Sequence, residues 1–116
     1  MLPEIHRLKR KKDFERVFKE GKGGFKEDFL ILKIIKNDLK VSRFGFVVSK
    51  NFSKKATLRN KIKRRLRELV KTKLTKIKKG IDGVMIAQPG LEAKDFWEIE
   101  EIITKLFQKA KLLNSR

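Results

Sequence analysis

A dense run of cationic side chains between residues 56 and 67 is the part of this sequence best suited to bind a ligand. Apolar residues recur there at every third or fourth position, and the recurrence continues to Ile77, which predicts a helix with one buried face. Four polar side chains project from roughly the opposite side: Asn60, Lys63, Arg64 and Arg67. Guanidinium and ammonium groups aligned in this way favour a polyanion, and nucleic acid is the expected one.

The charge of the whole chain supports nucleic-acid binding. Among 116 residues there are 32 Lys or Arg and 14 Asp or Glu, which gives a net charge of +18 at pH 7. Residues 54–79 hold 13 basic residues and a single acidic one, Glu68. A solvated helix normally mixes charges, because i,i+4 pairs stabilise it. A bound phosphate backbone would offset the repulsion. Charge alone does not separate RNA from DNA, but no helix-turn-helix or zinc-finger spacing supports a reader of duplex DNA.

The sequence lacks the residue sets on which most protein active sites depend. There is no cysteine, and His6 is the one histidine, in the N-terminal arm. The spacing therefore suggests neither a Cys-His nor a Ser-His-Asp set. Helix capping explains the acidic cluster at residues 95–101 without any metal. We expect no catalytic residue and no metal ligand in the protein. The lack of cysteine fits a reducing cytoplasm, and no apolar run approaches the roughly 18 residues that span a membrane.

The aromatic side chains are unusual in type, with nine Phe, one Trp and no Tyr. Phe14 and Phe18 fall on one face of a predicted helix, where either core packing or stacking on unpaired bases would explain them. Phe44 and Phe46 alternate on a predicted strand. Gly45 between them would let another backbone or a ligand approach closely.

Hydrophobic spacing and turn residues predict the elements that position these side chains. Residues 1–10 form an extended basic arm, and a short helix then ends at Gly21. The last helix begins after Asp95, with Glu98 completing a capping box. The other predicted elements are strands at 29–35, 43–49 and 82–87, a shorter strand near 23–26, and helices at 56–78 and 96–112.

The predicted elements fit one domain that covers residues 1–116. The strands at 29–35 and 43–49 are predicted to pair as a hairpin across Asn37 and Asp38. Helices then pack on a single sheet.

The run from Ala56 to Arg67 resembles the signature helix of the bacterial ribonuclease P protein component. In that family an Arg-Asn-basic core is followed by an apolar residue and a Lys-Arg pair. Phe14, Phe18 and Gly21 are similar to the family's first helix, and residues 43–50 are similar to the strand that leads into the signature. The resemblance covers nearly the whole chain.

The resemblance implies an α+β fold, a two-layer α-β sandwich with one mainly antiparallel sheet in the order α-β-β-β-α-β-α. This is similar to the second domain of ribosomal protein S-five, with a left-handed β-α-β crossover. It also implies the function. The protein joins ribonuclease P RNA, and together they hydrolyse a phosphodiester to remove the 5′ leader of precursor tRNA. The RNA holds the catalytic Mg²⁺, so the protein is the non-catalytic subunit of an endoribonuclease. DNA and membranes are not expected partners, and the expected location is the cytoplasm.

The resemblance also assigns roles to residues. Those placed against the catalytic RNA are Arg59, Asn60, Lys61, Lys63, Arg64 and Arg67. Those placed in the leader-binding cleft are Phe14, Phe18, Phe46 and Lys50. Lys61 replaces an arginine of the family and loses its bidentate geometry, Leu32 stands where some members have a cleft tyrosine, and the loop 51–55 is one residue longer than usual. A ribosomal or other structural RNA-binding protein is the alternative, which the signature helix and the paired phenylalanines speak against.

Overall fold

The fold is built on one four-stranded sheet with helices on both of its faces. The computed structural model describes residues 2–114, so residues 1, 115 and 116 of the predicted domain lie outside it. In chain order the elements are α1 (Lys11–Glu20), β1 (Lys22–Glu27), β2 (Leu30–Lys36), β3 (Arg43–Val47), α2 (Ala56–Lys73), β4 (Ile81–Ala87) and α3 (Phe96–Lys109), with short 3₁₀ turns at Glu4–His6, Leu74–Lys76 and Leu91–Ala93. The predicted α+β class and the predicted order of elements are confirmed.

The order of strands in the sheet is β1-β2-β4-β3, and only the β3–β4 pair is parallel. The predicted hairpin between the strands at 29–35 and 43–49 is therefore wrong, because β4 lies between them. Six of the seven residues of β4 are buried, as is typical of a central strand. Asn37 carries the chain across the end of β4: its backbone N donates to the Gly80 oxygen and its Nδ2 donates to Asp82 Oδ1, both at 2.8 Å.

The hairpin of this sheet is formed by β1 and β2. It confirms the shorter strand predicted near residues 23–26. The turn residue Asp28 has φ of 46°, a left-handed conformation that aspartate tolerates better than most residues. The register shifts between Gly23 and Phe25, where Gly24 has φ of 71°, and this bulge is a device that bends an edge strand.

The helix ends follow local chemistry. At the start of α3, Asp95 Oδ1 accepts from the Glu98 backbone N at 2.8 Å and Glu98 Oε1 accepts from the Asp95 backbone N at 2.9 Å, so the predicted capping box is confirmed. A Cβ at Gly21 would lie 2.2 Å from the Val17 carbonyl oxygen, which explains why α1 stops at a glycine. Helix α2 ends at Lys73 and not at residue 78, because the chain turns there to bury Ile77. Likewise, α3 ends at Lys109 and not at residue 112.

Two hydrophobic clusters share the sheet. The larger joins α2 and α3 to one face, with members such as Leu32, Phe44, Ile62, Met85 and Phe107. The smaller joins α1 to the other face through Leu8, Val17 and Val84. Because side chains alternate along a strand, these two clusters settle which face each strand residue occupies. Helix α1 covers only part of its face and leaves Ile31, Val47 and Ile86, which are neighbours across three strands, half-buried.

A buried ion network fixes α1 to the sheet. Asp82 is fully buried, and Arg43 donates to both of its oxygens, from Nε at 2.9 Å and from Nη2 at 2.7 Å. From α1, Arg16 lies 3.7 Å from Asp82, and Asp13 lies 3.7 Å from Arg43. The hydrogen bonds to Asp82 raise the pKa of Arg43. These ion pairs hold α1 against β3 and β4.

The sequence predicts an extended N-terminal arm, but the structure shows the arm packed against β3. Leu2 and Leu8 are buried, and the Leu8 backbone N donates to the Phe44 oxygen at 3.0 Å. His6 is half-buried, and its Nδ1 donates to the Ser42 oxygen at 2.8 Å. The arm thereby covers the edge of β3, which would otherwise present unpaired backbone groups.

Candidate nucleic-acid interface

Four of the six residues predicted to contact RNA lie side by side on the outer face of α2. One concavity of about 310 Å³ is lined by Asn60, Lys63, Arg64, Arg67 and Glu68. Asn60 and Arg64 are exposed, whereas Lys63 and Arg67 are half-buried. The opposite face of α2 is held in the core by Ile62, Leu66, Leu69 and Val70.

The remaining two predicted residues flank this concavity. Lys61 is exposed but is turned by about 100° around the helix from Asn60. Arg59 is half-buried, and its Nη1 donates to the Ser53 oxygen at 2.8 Å. Arg59 therefore ties the loop before α2 to the helix, and the structure does not bring it into the concavity.

The chemistry of the concavity suits an RNA backbone. Its five lining residues supply three cations, one carboxylate and one amide. The cations can contact phosphate oxygens, which dominate the affinity of most nucleic-acid interfaces. The amide of Asn60 can both donate and accept, so it is able to contact a 2′-hydroxyl or a base edge.

Phe14 and Phe18 both lie on the α1 face of the sheet, but their surroundings differ. Phe18 is 39% exposed, and Lys33 Nζ lies 5.9 Å from the centroid of its ring. Phe14 is half-buried, and a Cβ at Gly45 would lie 2.4 Å from its ring. A group does approach Gly45 closely, but it is the Phe14 side chain and not the backbone or ligand that the sequence predicted. Of the pair, Phe18 presents the ring that a base could stack on.

Two strand residues assigned to the cleft lie on the other face of the sheet. Phe46 is 9% exposed and Leu32 fully buried, both in the core that faces α2 and α3. Because side chains alternate, an offset of one residue moves a side chain to the opposite face. On β2 the residue beside Phe18 is Lys33, whereas Leu32 faces the core. The role of Phe46 in binding the leader stays a prediction. Lys50 is exposed in the turn that follows β3.

A small cavity at the edge of β3 connects the α2 face to α1. It measures about 170 Å³ and its lining includes Arg7, Phe14, Phe46, Lys63 and Arg67. Lys63 and Arg67 thus border both this cavity and the concavity on α2. The cationic face of α2 is therefore continuous, around the edge of β3, with the aromatic side chain of Phe14.

Sequence reasoning assigned no role to Lys33 or Arg7. Lys33 was detectable, since it is the one charge inside the apolar run from Phe29 to Ile35. Arg7 was not, because its position depends on the packing of the arm against β3. Its Nε donates to the Leu2 oxygen at 2.7 Å, which holds the guanidinium in place.

Two kinds of feature, a metal-binding cluster and a membrane-spanning helix, are absent from residues 2–114. In this part of the chain, no group of three or more His, Asp or Glu side chains is placed to hold a metal ion. None of its helices has the length and apolar character needed to cross a membrane. What the arrangement offers is a set of cations and aromatic rings that can bind and orient a polyanion.

Comparisons with known proteins agree with this geometry. The family model described as Ribonuclease P matches residues 2–111. The chain is similar to the ribonuclease P protein component of Thermotoga maritima, with 41% identity over 107 residues that cover 89% of this chain and 90% of the relative. It is 32% identical to that of Microcystis aeruginosa over 116 residues, 97% of each chain. The solved RNase P protein of Staphylococcus aureus superposes with a TM-score of 0.85 at 29% identity, covering 94% of this chain and 98% of the other.

Proposed function

This chain belongs to the ribonuclease P protein family, and we propose that its α2 concavity binds the phosphate backbone of the ribonuclease P RNA while its α1 face binds the 5′ leader of precursor tRNA. The chain is the protein component of ribonuclease P, a subunit of the endoribonuclease that matures the 5′ ends of tRNA. The match over residues 2–111 sets aside the alternative of a ribosomal protein.

One observation carries the assignment of the two faces. Lys63 and Arg67 border the concavity on α2 and also the cavity that contains Phe14. An RNA backbone on α2 therefore comes close to a single strand on the α1 face, with the edge of β3 between them. This continuity supports the proposal that the substrate leader binds beside the catalytic RNA.

The α1 face has the features that suit an unpaired strand. Phe18 offers an exposed ring, and Lys33 adds a cation beside it. Ile31, Val47 and Ile86 supply a partly apolar floor. Stacking of bases on such a surface tolerates any sequence, because every base has a π-face. Leaders of different sequence can therefore share the site.

We assign Mg²⁺ to the partner RNA. The described residues hold no cluster of carboxylates or histidines that could bind a metal ion. We therefore assign the ligands of the catalytic metal to the RNA. The role of the protein is to bind and orient the leader and to neutralise phosphate charge around it. The protein works in the cytoplasm, in keeping with a sequence that has no cysteine.

The test is a comparison of substrates with and without a leader. The protein is assembled with ribonuclease P RNA, and the affinities for precursor tRNA and mature tRNA are measured with and without the protein. We expect the protein to strengthen binding of the precursor several-fold more than binding of mature tRNA, since base stacking contributes about 1–3 kcal/mol per base. Equal strengthening of both tRNAs would contradict the assignment of the α1 face.

A further inference from the structure

A second basic cavity lies near the far end of α2. It measures about 400 Å³, and four of the residues around it are His6, Lys40, Lys78 and Lys79. Within residues 2–114, no carboxylate lines it. Leu74, also in the lining, is about 21 Å from Asn60 along the helix axis at 1.5 Å per residue. The cavity is therefore a separate site from the concavity on α2.

The walls of this cavity are held together by hydrogen bonds between distant parts of the chain. Ser42, which is 4% exposed, donates from Oγ to the Lys78 oxygen at 2.6 Å and accepts from the Ile81 backbone N at 3.1 Å. Asn114 donates from its backbone N to the Lys76 oxygen at 2.8 Å. The arm joins through His6, whose Nδ1 donates to the Ser42 oxygen at 2.8 Å. A lining fixed in this way loses little freedom when a ligand binds.

The electrostatics of the cavity favour an anion. Carbonyl oxygens at the C-terminal end of α2 disfavour negative charge, but they amount to about half an elementary charge, which the lysines around the cavity exceed. The carbonyl oxygens of Lys76 and Lys78 lie beyond the end of α2 and accept hydrogen bonds from Asn114 and Ser42. Among the ion pairs within residues 2–114, none involves Lys40, Lys78 or Lys79. Three lysines around one concavity attract an anion at close range. The bond from His6 Nδ1 to the Ser42 oxygen holds the ring beside these lysines, where it can report on a ligand that enters the cavity.

We propose that this cavity binds a phosphate group of an RNA backbone, as a contact separate from the α2 concavity. The proposal rests on the proposed function, because the RNA partner supplies the phosphate. Two contacts about 21 Å apart along α2 would fix the orientation of the protein on the RNA as well as add affinity. Inorganic phosphate has the same chemistry and serves as a probe for the cavity alone.

The first arm of the test uses His6, the one histidine of the chain, as a reporter. Its imidazole signals are followed by NMR while inorganic phosphate is added in a phosphate-free buffer. We expect saturable shifts in the wild type and much smaller shifts in Lys78→Gln/Lys79→Gln. No saturable shift in the wild type would overturn the proposal.

The second arm measures affinity for ribonuclease P RNA as a function of salt. Lys78→Gln/Lys79→Gln is compared with Lys105→Gln/Lys111→Gln, which removes the same charge from exposed positions on and just after α3. We expect the first variant to bind roughly tenfold more weakly, with a salt slope lower by about one to two units, and the second to change little. Equal affinities of the two variants would overturn the RNA contact, even if phosphate shifts His6. Failure of the wild type to bind the RNA would instead contradict the proposed function.

Discussion

Arg64 is the cation whose removal tests the α2 concavity with least risk to the fold. It is exposed and lines the concavity with Asn60 and Lys63. We expect Arg64→Ala to weaken binding of ribonuclease P RNA and to lower the slope of log K against log salt by about one unit or less. Lys105→Ala, on the exposed side of α3, is the control. Unchanged affinity and slope for Arg64→Ala would remove Arg64 from the phosphate interface.

Phe18 separates a binding role from a packing role. Because Phe18 is 39% exposed, Phe18→Ala should lower the free energy of unfolding by much less than truncation of a fully buried phenylalanine. Precursor tRNA should bind more weakly by about 1–3 kcal/mol, the range for loss of one stacked base, and mature tRNA should lose less. Phe44→Ala is the contrast: Phe44 is 1% exposed, and its truncation should cost about 3–5 kcal/mol of stability. Equal losses for both tRNAs in Phe18→Ala would show that Phe18 does not contact the leader.

How well a residue's position could be predicted depends on the element that carries it. Helical spacing placed Asn60, Lys63, Arg64 and Arg67 on one face, because the buried stripe of α2 fixes the opposite side. Strand positions are less tolerant, since one residue of offset exchanges the two faces of the sheet. Phe46 and Leu32 lie in the core that faces α2 and α3, and Lys33 is the residue of β2 that lies beside Phe18.

The packing of α1 on the sheet depends on Asp82, which is fully buried and accepts two hydrogen bonds from Arg43. We expect Asp82→Asn to lower the free energy of unfolding by about 3 kcal/mol, because it removes the buried charge that pairs with Arg43 at 2.7 Å and leaves Arg43 with the more distant Asp13, at 3.7 Å. Asp38→Asn, at an exposed position, is the control, and urea denaturation is the measurement. A loss no larger than that of the control would contradict the role of the network in holding α1.

Helices α2 and α3 are joined by an ion pair whose effect depends on pH. Lys73 donates to Glu100 at 2.7 Å, and this hydrogen bond lowers the pKa of Glu100 below its ordinary value of 4.5. Because the folded pKa is the lower one, the pair stabilises the fold above pH 4.5 and is lost as pH falls through the folded pKa. The Glu100 side chain is 37% exposed, so the contribution is below about 1 kcal/mol.

The pH dependence is measured on Glu100→Gln. Its free energy of unfolding should be lower than that of the wild type at pH 7, and the gap should close at acid pH. Glu101→Gln, at an exposed position of the same helix, should show no such convergence. If the difference in free energy of unfolding between the wild type and Glu100→Gln is the same at pH 7 and at acid pH, the ion pair does not stabilise the fold.

Elements specified by neighbouring residues were predictable, and long-range pairings were not. The capping box of α3 needs only Asp95 and Glu98, and it was found from the sequence. The insertion of β4 between β2 and β3 could not be read from either strand, because it depends on pairings between residues 39 to 57 positions apart. Short connections usually join neighbouring strands, and this made the wrong hairpin the natural prediction.

Charge is distributed unevenly over the protein. Cations concentrate on α2 and around the cavity formed with His6, whereas Glu98, Glu100 and Glu101 lie on α3. With a net charge of +18, binding to RNA should weaken steeply with salt. Binding to nucleic acid could therefore be predicted from composition, whereas RNA as the partner came from the family resemblance. The continuity between α2 and the α1 face could not, since it depends on how the strands are ordered.

Cleavage of precursor tRNA at low Mg²⁺ tests directly whether the protein acts as the non-catalytic subunit of ribonuclease P. The protein alone, a bacterial ribonuclease P RNA alone, and the two together are compared under the same conditions. We expect efficient removal of the leader only when both are present. Cleavage by the protein alone would contradict its role as a non-catalytic subunit, and RNA binding that leaves the rate of cleavage unchanged would contradict its role in the reaction.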